Sequence, residues 1–226
     1  MPITYEEVLP WGRSFEEYKR MFALSEQDLR SRILGCGDGP AAFNAHMHAL
    51  GKQVTSVDPL YQFDRERIAA RIEQVTSVIL EQTASNRHLF RWGQIASVEE
   101  LGKLRHASMQ VFLNDYDAGR DAGRYIAAEL PSLPLPDNSF DLALCSHFLF
   151  LYSGHRDFEF HVRSIVEMLR VAPEVRVFPV VGLDARLSPH LPAVMAQLER
   201  HAKVRLVTVD YEFQIGANQM LEVRAN

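Results

Sequence analysis

The feature that most constrains the fold of this chain is a glycine-rich turn between an apolar segment and an amphipathic one. Residues 31–34 end in an apolar pair, as expected for a short buried strand. The turn that follows carries three alternating glycines: Gly35, Gly37 and Gly39. Pro40 favours the first turn of a helix, whose apolar residues share one face: Phe43, Met47 and Leu50. This order predicts a strand–turn–helix unit whose helix N-terminus favours a negatively charged group nearby.

The rest of the chain alternates strand-like and helix-like segments, which favours a parallel α/β sheet. The further predicted strands cover residues 53–57, 124–128, 139–145, 175–181, 204–209 and 219–223. About sixty residues separate the second strand from the third, although a simple crossover needs only about a dozen or more. We therefore expect one domain, residues 1–226, with a helical insertion at about 62–122 after the second strand.

Capping signals and apolar stripes predict where the helices lie. Residues 14–17 and 97–100 both have the Ser-x-x-Glu spacing of a capping box, which satisfies free N–H groups at a helix start. Three apolar stripes have helical spacing: Ile68, Ile72, Val75 and Ile79; Leu101, Leu104, Ser108 and Val111; Phe158, Val162, Ile165 and Leu169. These stripes predict the buried faces of three helices.

Composition and charge exclude several classes of protein. The net charge of −5 does not attract phosphate backbones, and no stretch approaches the ~20 apolar residues of a membrane span. The two cysteines, Cys36 and Cys145, are far apart and do not form a disulfide framework, so a reducing compartment is expected. The start of the chain lacks the pattern of a signal peptide. We therefore expect a cytoplasmic protein that binds neither nucleic acid nor a membrane.

A carboxylate at the end of the second predicted strand adds a candidate ligand-binding residue. Asp58 follows residues 53–57 and lies twenty-one residues after Gly37. A carboxylate at that place can accept hydrogen bonds from both ribose hydroxyls of a nucleoside. By itself, Asp58 also suits a turn before Pro59. A dinucleotide fingerprint would need a small residue at position 40, where Pro40 stands, so NAD is disfavoured as the ligand.

Four segments of this sequence together resemble the class I S-adenosylmethionine-dependent methyltransferases. They are the glycine turn, Asp58, the pair Glu129 and Leu130, and residues 133–144 (LPLPDNSFDLAL), and they follow the order of that family. The resemblance runs from about Arg30 to Val223. It implies a Rossmann-like three-layer α/β sandwich with a mostly parallel seven-stranded sheet whose final strand is antiparallel. It also implies S-adenosyl-L-methionine as the cofactor.

The resemblance also implies a role for individual residues. Three residues of the turn would contact the methionine part of the cofactor through backbone atoms: Gly35, Cys36 and Gly37. Asp58 would bind the ribose diol, Glu129 would lie beside the adenine amino group, and the backbone N–H of Leu130 would face the adenine ring. Three residues at the end of the fourth strand would lie next to the sulfonium: Cys145, Ser146 and His147.

The sequence departs from the family pattern at one position, and two further interpretations stay open. Ile33 occupies the place of the usual acidic residue, two positions before the first glycine. Arg13 and Tyr18 are either a surface arginine and a core tyrosine, or part of a segment that folds over the cofactor, with Arg13 pairing its carboxylate. His147 is either a structural histidine or the general base, because imidazole titrates near neutral pH.

These observations predict a methyltransferase that acts on a small molecule. Residues 145–148 (CSHF) replace the Asn-Pro-Pro-aromatic motif of amino-directed nucleic-acid methyltransferases, which also disfavours DNA or RNA as the substrate. The alternatives are a cofactor-binding protein without catalysis and, less favoured, an NAD-dependent enzyme. No histidine spacing indicates a metal site, and the sequence leaves open whether the chain forms a homodimer.

Overall fold

The computed structural model describes residues 9–226, so the predictions that concern residues 1–8 lie outside the described part. Residues 9–226 form seven strands: β1 Ile33–Cys36, β2 Val54–Val57, β3 Tyr125–Ile126, β4 Leu142–Ser146, β5 Glu174–Phe178, β6 Ala202–Thr208 and β7 Gln219–Ala225. They also form six α-helices: α1 Phe15–Met21, α2 Phe43–Ala49, α3 Arg65–Ser85, α4 Val98–Asp121, α5 Phe158–Val171 and α6 Leu191–Leu198. Short 3₁₀ helices cover Asp28–Arg30, Pro59–Gln62 and Arg87–Leu89.

The seven strands form one sheet in the order β3-β2-β1-β4-β5-β7-β6. The first five strands of this order are parallel, and β7 is antiparallel to both β5 and β6. The strands β1 and β4 are neighbours, with Cys36 opposite Cys145, so the strand order reverses between them. Ligands of open α/β sheets bind outside the carboxyl ends of the strands at such a switch point.

Helices cover both faces of the sheet because successive residues of a strand point to opposite sides. On one face, Leu34 and Cys36 pack with residues of α5 and α6. On the other face, Ile33 packs with Tyr18 of α1 and Phe43 of α2. A third cluster joins α3 and α4 to the edge strand β3 and includes Ile68, Phe112, Tyr116 and Tyr125. The molecule is therefore a helix–sheet–helix sandwich, as the sequence predicted.

Two local predictions, the cap of α1 and the buried face of α3, are confirmed. Ser14 caps α1 through a capping box with Glu17, whose carboxylate accepts the Ser14 N–H at 2.9 Å. The predicted stripe of α3 is its buried face: Ile68, Ile72, Val75 and Ile79. Helices α3 and α4 both lie between β2 and β3 in the chain. No helix within residues 9–226 combines the length and the apolar character needed to cross a membrane.

The start of α2 differs from the prediction. The helix begins at Phe43, so Pro40 is not in its first turn. The backbone N–H of Ala42 donates to the carbonyl oxygen of Arg13 at 2.9 Å. The N–H of Ala41 donates to the carbonyl oxygen of Asp38 at 3.3 Å, so a separate turn over residues 38–41 precedes the helix, and Ala42 links it to the N-terminal segment of the chain.

The start of β4 also differs, since the strand covers Leu142–Ser146 and not residues 139–145. Just before it, the carboxylate of Asp141 accepts the backbone N–H of Arg32 at 2.8 Å and pairs with its guanidinium at 2.7 Å. This ion pair is half exposed and marks the amino-terminal edge of β1 and β4. Polar side-chain contacts replace the start of the predicted strand.

Two predicted helix faces are shifted. In α4, Leu104 and Val111 are only half-buried, and the buried residues include a charged one: Leu101, Arg105, Ser108, Met109, Phe112, Leu113 and Tyr116. In α5, Phe158, Val162 and Leu169 are half-buried, and the buried face is His161, Ser164, Ile165, Met168 and Val171. The prediction of these two faces from hydrophobic spacing was wrong. Arg105 and His161 are buried because polar partners satisfy them, and hydrophobic spacing does not identify such residues.

Candidate functional site

A cavity of about 670 Å³ lies at the carboxyl ends of β1, β2 and β4. Eight of the residues predicted for the site line it: Arg13, Tyr18, Gly37, Asp58, Glu129, Leu130, Ser146 and His147. The fold therefore brings together residues that are more than a hundred positions apart in the sequence. A cavity of this volume is in the range of sites for small molecules and cofactors.

Three predicted site residues, Gly35, Cys36 and Cys145, are not among the described residues that line the cavity. The strand β1 continues through Gly35 and Cys36, and Cys145 lies in β4 opposite Cys36. Both thiols are buried, and burial raises the pKa of each. These residues lie beneath the cavity, and the turn that faces it begins at Gly37, where φ is +68°.

Gly37 also allows a close approach between two segments of the cavity wall. A Cβ atom at this position would lie 3.0 Å from the Cβ of Phe148, closer than ordinary van der Waals contact. Because φ is also positive, only glycine adopts this conformation without strain. At position 37 the turn therefore presents backbone atoms to the cavity.

Asp58 is held at the end of β2 by backbone donors. Its Oδ1 accepts the N–H of Leu60 at 2.8 Å, and its Oδ2 accepts the N–H of Gly39 at 2.9 Å. A carboxylate oxygen has about two lone-pair sites, so each oxygen keeps one for a ligand. Removal from water raises the pKa of Asp58 to about 6, and the negative charge of Glu129 adds to the increase. The two hydrogen bonds from the backbone lower the pKa but do not outweigh the effect of burial.

Asp38, inside the glycine turn, is a polar residue of the site that the sequence analysis did not assign. Its Oδ1 accepts the hydroxyl of Tyr18 at 2.8 Å, and its Oδ2 accepts the hydroxyl of Ser56 at 2.6 Å. The side chain is buried and lines the cavity. Burial raises the pKa of Asp38 to about 6, and the charge of Asp58 contributes. An acidic residue inside the turn was the only sequence signal for this site.

The N-terminal segment packs over the glycine turn. Gly12 is so close to Pro40 that an added Cβ would lie 2.0 Å from the Pro40 carbonyl oxygen. Arg13 lines the cavity and donates from one Nη to the carbonyl oxygen of Trp11. Its buried Nε has no hydrogen-bond partner among residues 9–226. Burial lowers the pKa of Arg13, and the neighbouring charge of Arg105 lowers it further.

A buried ion pair closes another part of the cavity. Arg105 of α4 donates to both carboxylate oxygens of Glu17 of α1, at 2.5 and 2.6 Å, and the hydroxyl of Tyr211 donates to the same carboxylate at 2.8 Å. Burial opposes ionisation of Glu17, but the charge and hydrogen bonds of Arg105 outweigh it and hold the Glu17 pKa well below its usual range. Sequence reasoning missed Arg105 and Tyr211, because their partner is distant in the chain.

His147 follows β4 in the left-handed region of backbone conformation, with φ of +51°. The backbone N–H of His147 donates to the carbonyl oxygen of Phe178 at 2.7 Å. The ring atom Nδ1 lies 3.0 Å from the hydroxyl of Ser146. Removal from water lowers the pKa of His147 well below its usual value, and the charges of Arg13 and Arg105 lower it further. The imidazole is therefore neutral at pH 7, has one unprotonated nitrogen, and is a weaker base than a histidine in water.

The far wall of the cavity comes from helices and loops outside the sheet. Ile68 and Ile79 of α3 and Leu101 of α4 line it. The segment after α3 and the segment before β7 also pair: the N–H of Arg91 donates to the carbonyl oxygen of Phe213 at 2.8 Å. The rings of Phe90 and Phe213 stack at 5.0 Å, and both line the cavity. Arg67 and Arg71 of α3 and Arg105 of α4 line the same wall, so it combines apolar residues with cationic ones, in contrast to the carboxylates near the strand ends.

A comparison with known sequences identifies the family of this chain. No model of a known protein family matches the sequence. The chain is 32% identical over 223 residues to "Uncharacterized protein MJ0045" of Methanocaldococcus jannaschii, and the match covers 98% of each chain. This chain belongs to the MJ0045 family.

Comparison with solved structures matches this MJ0045-family chain to methyltransferases. The mitomycin 7-O-methyltransferase MmcR is 14% identical, with a TM-score of 0.50 over 94% of this chain and 54% of that one. A SAM dependent methyltransferase from Aquifex aeolicus is 15% identical, with a TM-score of 0.43 over 93% of this chain and 88% of that one. The fold is that of the class I S-adenosylmethionine-dependent methyltransferases, as the sequence predicted.

Proposed function

We propose that this protein is an S-adenosylmethionine-dependent methyltransferase that acts on a small molecule. The observation that carries the proposal is the placement of Asp58. Its carboxylate is fixed by the N–H groups of Leu60 and Gly39, keeps one lone pair on each oxygen, and faces a cavity at the switch point of the sheet. Two adjacent hydroxyls, such as those of a ribose, can donate to this pair of oxygens.

The other residues of the cavity fit the rest of this cofactor. When bound, S-adenosylmethionine supplies a methyl group that is already activated on a sulfonium. Glu129 and Leu130 line the cavity after β3 and would contact the adenine ring. Gly37 would contact the methionine part through its backbone. The position of the Arg13 guanidinium in the cavity wall favours a contact with the cofactor carboxylate.

The chain's own contribution to methyl transfer would be to hold the acceptor, exclude water and remove a proton. The wall formed by α3, α4, Phe90 and Phe213 would surround the acceptor. His147 is neutral at pH 7 and lies at the end of β4, beside Ser146. It would accept the proton of an acceptor whose attacking atom carries one. The volume of the cavity favours a small molecule as the acceptor.

The binding part of this proposal is tested by removal of the Asp58 carboxylate. Asp58→Ala loses hydrogen bonds to a charged group, each typically ~1.5–3 kcal/mol, so affinity for S-adenosylhomocysteine should fall roughly tenfold or more. Isothermal titration calorimetry measures this change. Asp117→Ala, on the exposed side of α4, is the matched control and should keep the parent affinity. Equal affinity in Asp58→Ala and the parent would refute the assignment.

A cofactor-binding protein without catalysis is the second candidate, and Ile33 is the observation that favours it. The side chain at this position is fully buried and apolar, where the resemblance leads us to expect an acid. Formation of S-adenosylhomocysteine from S-adenosylmethionine in the presence of a small-molecule extract separates the two candidates. The methyltransferase proposal requires turnover that depends on the extract, whereas the second candidate requires binding without turnover.

A further inference from the structure

The missing acid at position 33 leaves one group of the proposed cofactor without an obvious partner. Ile33 is fully buried against α1 and α2, so no charged side chain occupies its place. The proposed cofactor ends in an α-amino acid, which carries both an ammonium group and a carboxylate. Arg13 suits the carboxylate, but a cation cannot hold the ammonium group.

The carboxylate of Asp38 lies above β1, the strand that contains Ile33. An added Cβ on Gly35 would lie 1.8 Å from Oδ2 of Asp38, so this carboxylate covers the end of β1 directly. The hydroxyl of Tyr18 reaches it from α1, and the hydroxyl of Ser56 reaches it from β2. Two of the four lone-pair sites of the carboxylate are used, and two remain for a donor in the cavity.

Asp38 has no cationic partner in the described part of the chain. The groups that act on it within residues 9–226 are the hydroxyls of Tyr18 and Ser56 and the negative charge of Asp58. A buried carboxylate next to another carboxylate is unfavourable unless a positive group compensates it. The cavity is therefore prepared for a cation at this point, and Arg13 provides the complementary positive charge elsewhere in the same cavity.

We propose that Asp38 binds the α-ammonium group of the cofactor's methionine part and replaces the acid that is absent at position 33. This inference rests on the proposed function. Asp38 and Arg13 then recognise the two ends of an α-amino acid zwitterion, and Tyr18 and Ser56 orient the Asp38 carboxylate. With the amino acid held at both ends, the sulfonium is fixed relative to Ser146 and His147 at the end of β4.

The experiment compares two ligands that differ only in the amino-acid part. S-adenosylhomocysteine carries this part, and 5′-methylthioadenosine lacks it but keeps the adenosine. Calorimetry on Asp38→Asn should show about tenfold or greater loss of affinity for S-adenosylhomocysteine and less than about twofold change for 5′-methylthioadenosine. Asp58→Ala should weaken both ligands, because the ribose is common to them. Asp117→Asn should change neither.

A second ligand keeps the proposal testable if Asp38→Asn does not fold. The deaminated analogue of S-adenosylhomocysteine lacks only the ammonium group, and the unmodified protein should bind it about tenfold or more weakly than the parent ligand. If Asp38→Asn folds, the two ligands should bind this variant with similar affinity.

Three results would overturn the assignment of Asp38. One is unchanged affinity of Asp38→Asn for S-adenosylhomocysteine. Another is an equal loss for both adenosine ligands, which would give Asp38 a structural role through Tyr18 and Ser56. The third is undiminished binding of the deaminated analogue. If the unmodified protein binds neither adenosine ligand, the proposed function itself fails, and that result is distinct because it includes 5′-methylthioadenosine.

Discussion

Two carboxyl groups at the strand ends, Asp38 and Asp58, control the charge of the proposed cofactor site. Their pKa values are both raised from 3.8 to about 6, chiefly by removal from water. Between pH 3.8 and about 6, the folded protein without ligand holds more protons on these groups than the unfolded chain does. The contribution of each group to the free energy of unfolding is therefore largest below pH 3.8 and is lost as the pH rises through about 6. Both proposed contacts need the ionised form.

Affinity for S-adenosylhomocysteine should therefore depend on pH near 6. We expect the dissociation constant to be nearly constant from pH 7 to 8 and to increase steadily below pH 6, as Asp38 and Asp58 take up protons. Calorimetry at pH 5, 6, 7 and 8 measures this dependence, and Asp38→Asn should make it shallower. Affinity that stays constant from pH 8 to 5 would contradict the proposed contacts.

His147 provides the second prediction at the scale of single residues. With a molecule from the extract that supports turnover, His147→Asn should lower the rate roughly 10²–10⁴-fold, because it removes the proton acceptor. Asparagine tolerates the left-handed backbone conformation at φ of +51°, so the fold should be retained. His147→Ala adds backbone strain and should show a lower melting temperature as well. Turnover of His147→Asn within about twofold of the parent would exclude His147 as the base.

At the scale of elements, the pair Glu17–Arg105 joins α1 to α4 beside the cavity. Arg105→Met leaves the Glu17 carboxylate buried without its cation, and we expect it to lower the free energy of unfolding by about 3–5 kcal/mol. The double variant Glu17→Gln with Arg105→Met should be clearly more stable than Arg105→Met alone, because no unpaired charge remains. Urea denaturation measures all three proteins.

The same helix offers a matched control for this prediction. Lys103 pairs with Glu99 at 2.6 Å, and both side chains are about three-quarters exposed. Because exposed ion pairs contribute only about 0–1 kcal/mol, Lys103→Met should have little effect. If Arg105→Met is as stable as Lys103→Met, the buried pair does not hold α1 against α4.

The positions of the elements could be predicted from the sequence wherever local signals agree. The capping box at Ser14 and the stripe of α3 depend on residues that are neighbours in the chain, and both are confirmed. The start of α2 and the faces of α4 and α5 depend on partners from elsewhere, such as the Arg13 carbonyl for Ala42 and Glu17 for Arg105. Local spacing contains no information about such partners.

The candidate site was predictable to the extent that its residues follow strands. Asp58 and His147 come directly after β2 and β4, and parallel strands place such residues at one edge of the sheet. Asp38 lies within the glycine turn, but its contacts with Tyr18 and Ser56 depend on the packing of α1 and β2 and have no signal in the local sequence. Arg105 was missed because a charged residue on an apolar helix face gives no hydrophobic signal.

For the whole molecule, the sheet order explains why the cavity exists. The switch between β1 and β4 opens a crevice, and the N-terminal segment, α3, α4 and the segment before β7 enclose it. Carboxylates lie at the strand ends, and five arginines line the same cavity: Arg13, Arg67, Arg71, Arg105 and Arg156. The carboxylates suit a diol and an ammonium group, and the arginines suit an anionic group such as a carboxylate.

The most direct test of the central claim is a crystal structure of this protein with S-adenosylhomocysteine. We predict the ligand in the cavity, with both ribose hydroxyls donating to the Asp58 carboxylate and the adenine next to Leu130. The ammonium group should lie within hydrogen-bond distance of Asp38, and the carboxylate should contact Arg13. Crystals grown with saturating ligand that show this cavity empty, or the ligand bound elsewhere, would contradict the claim.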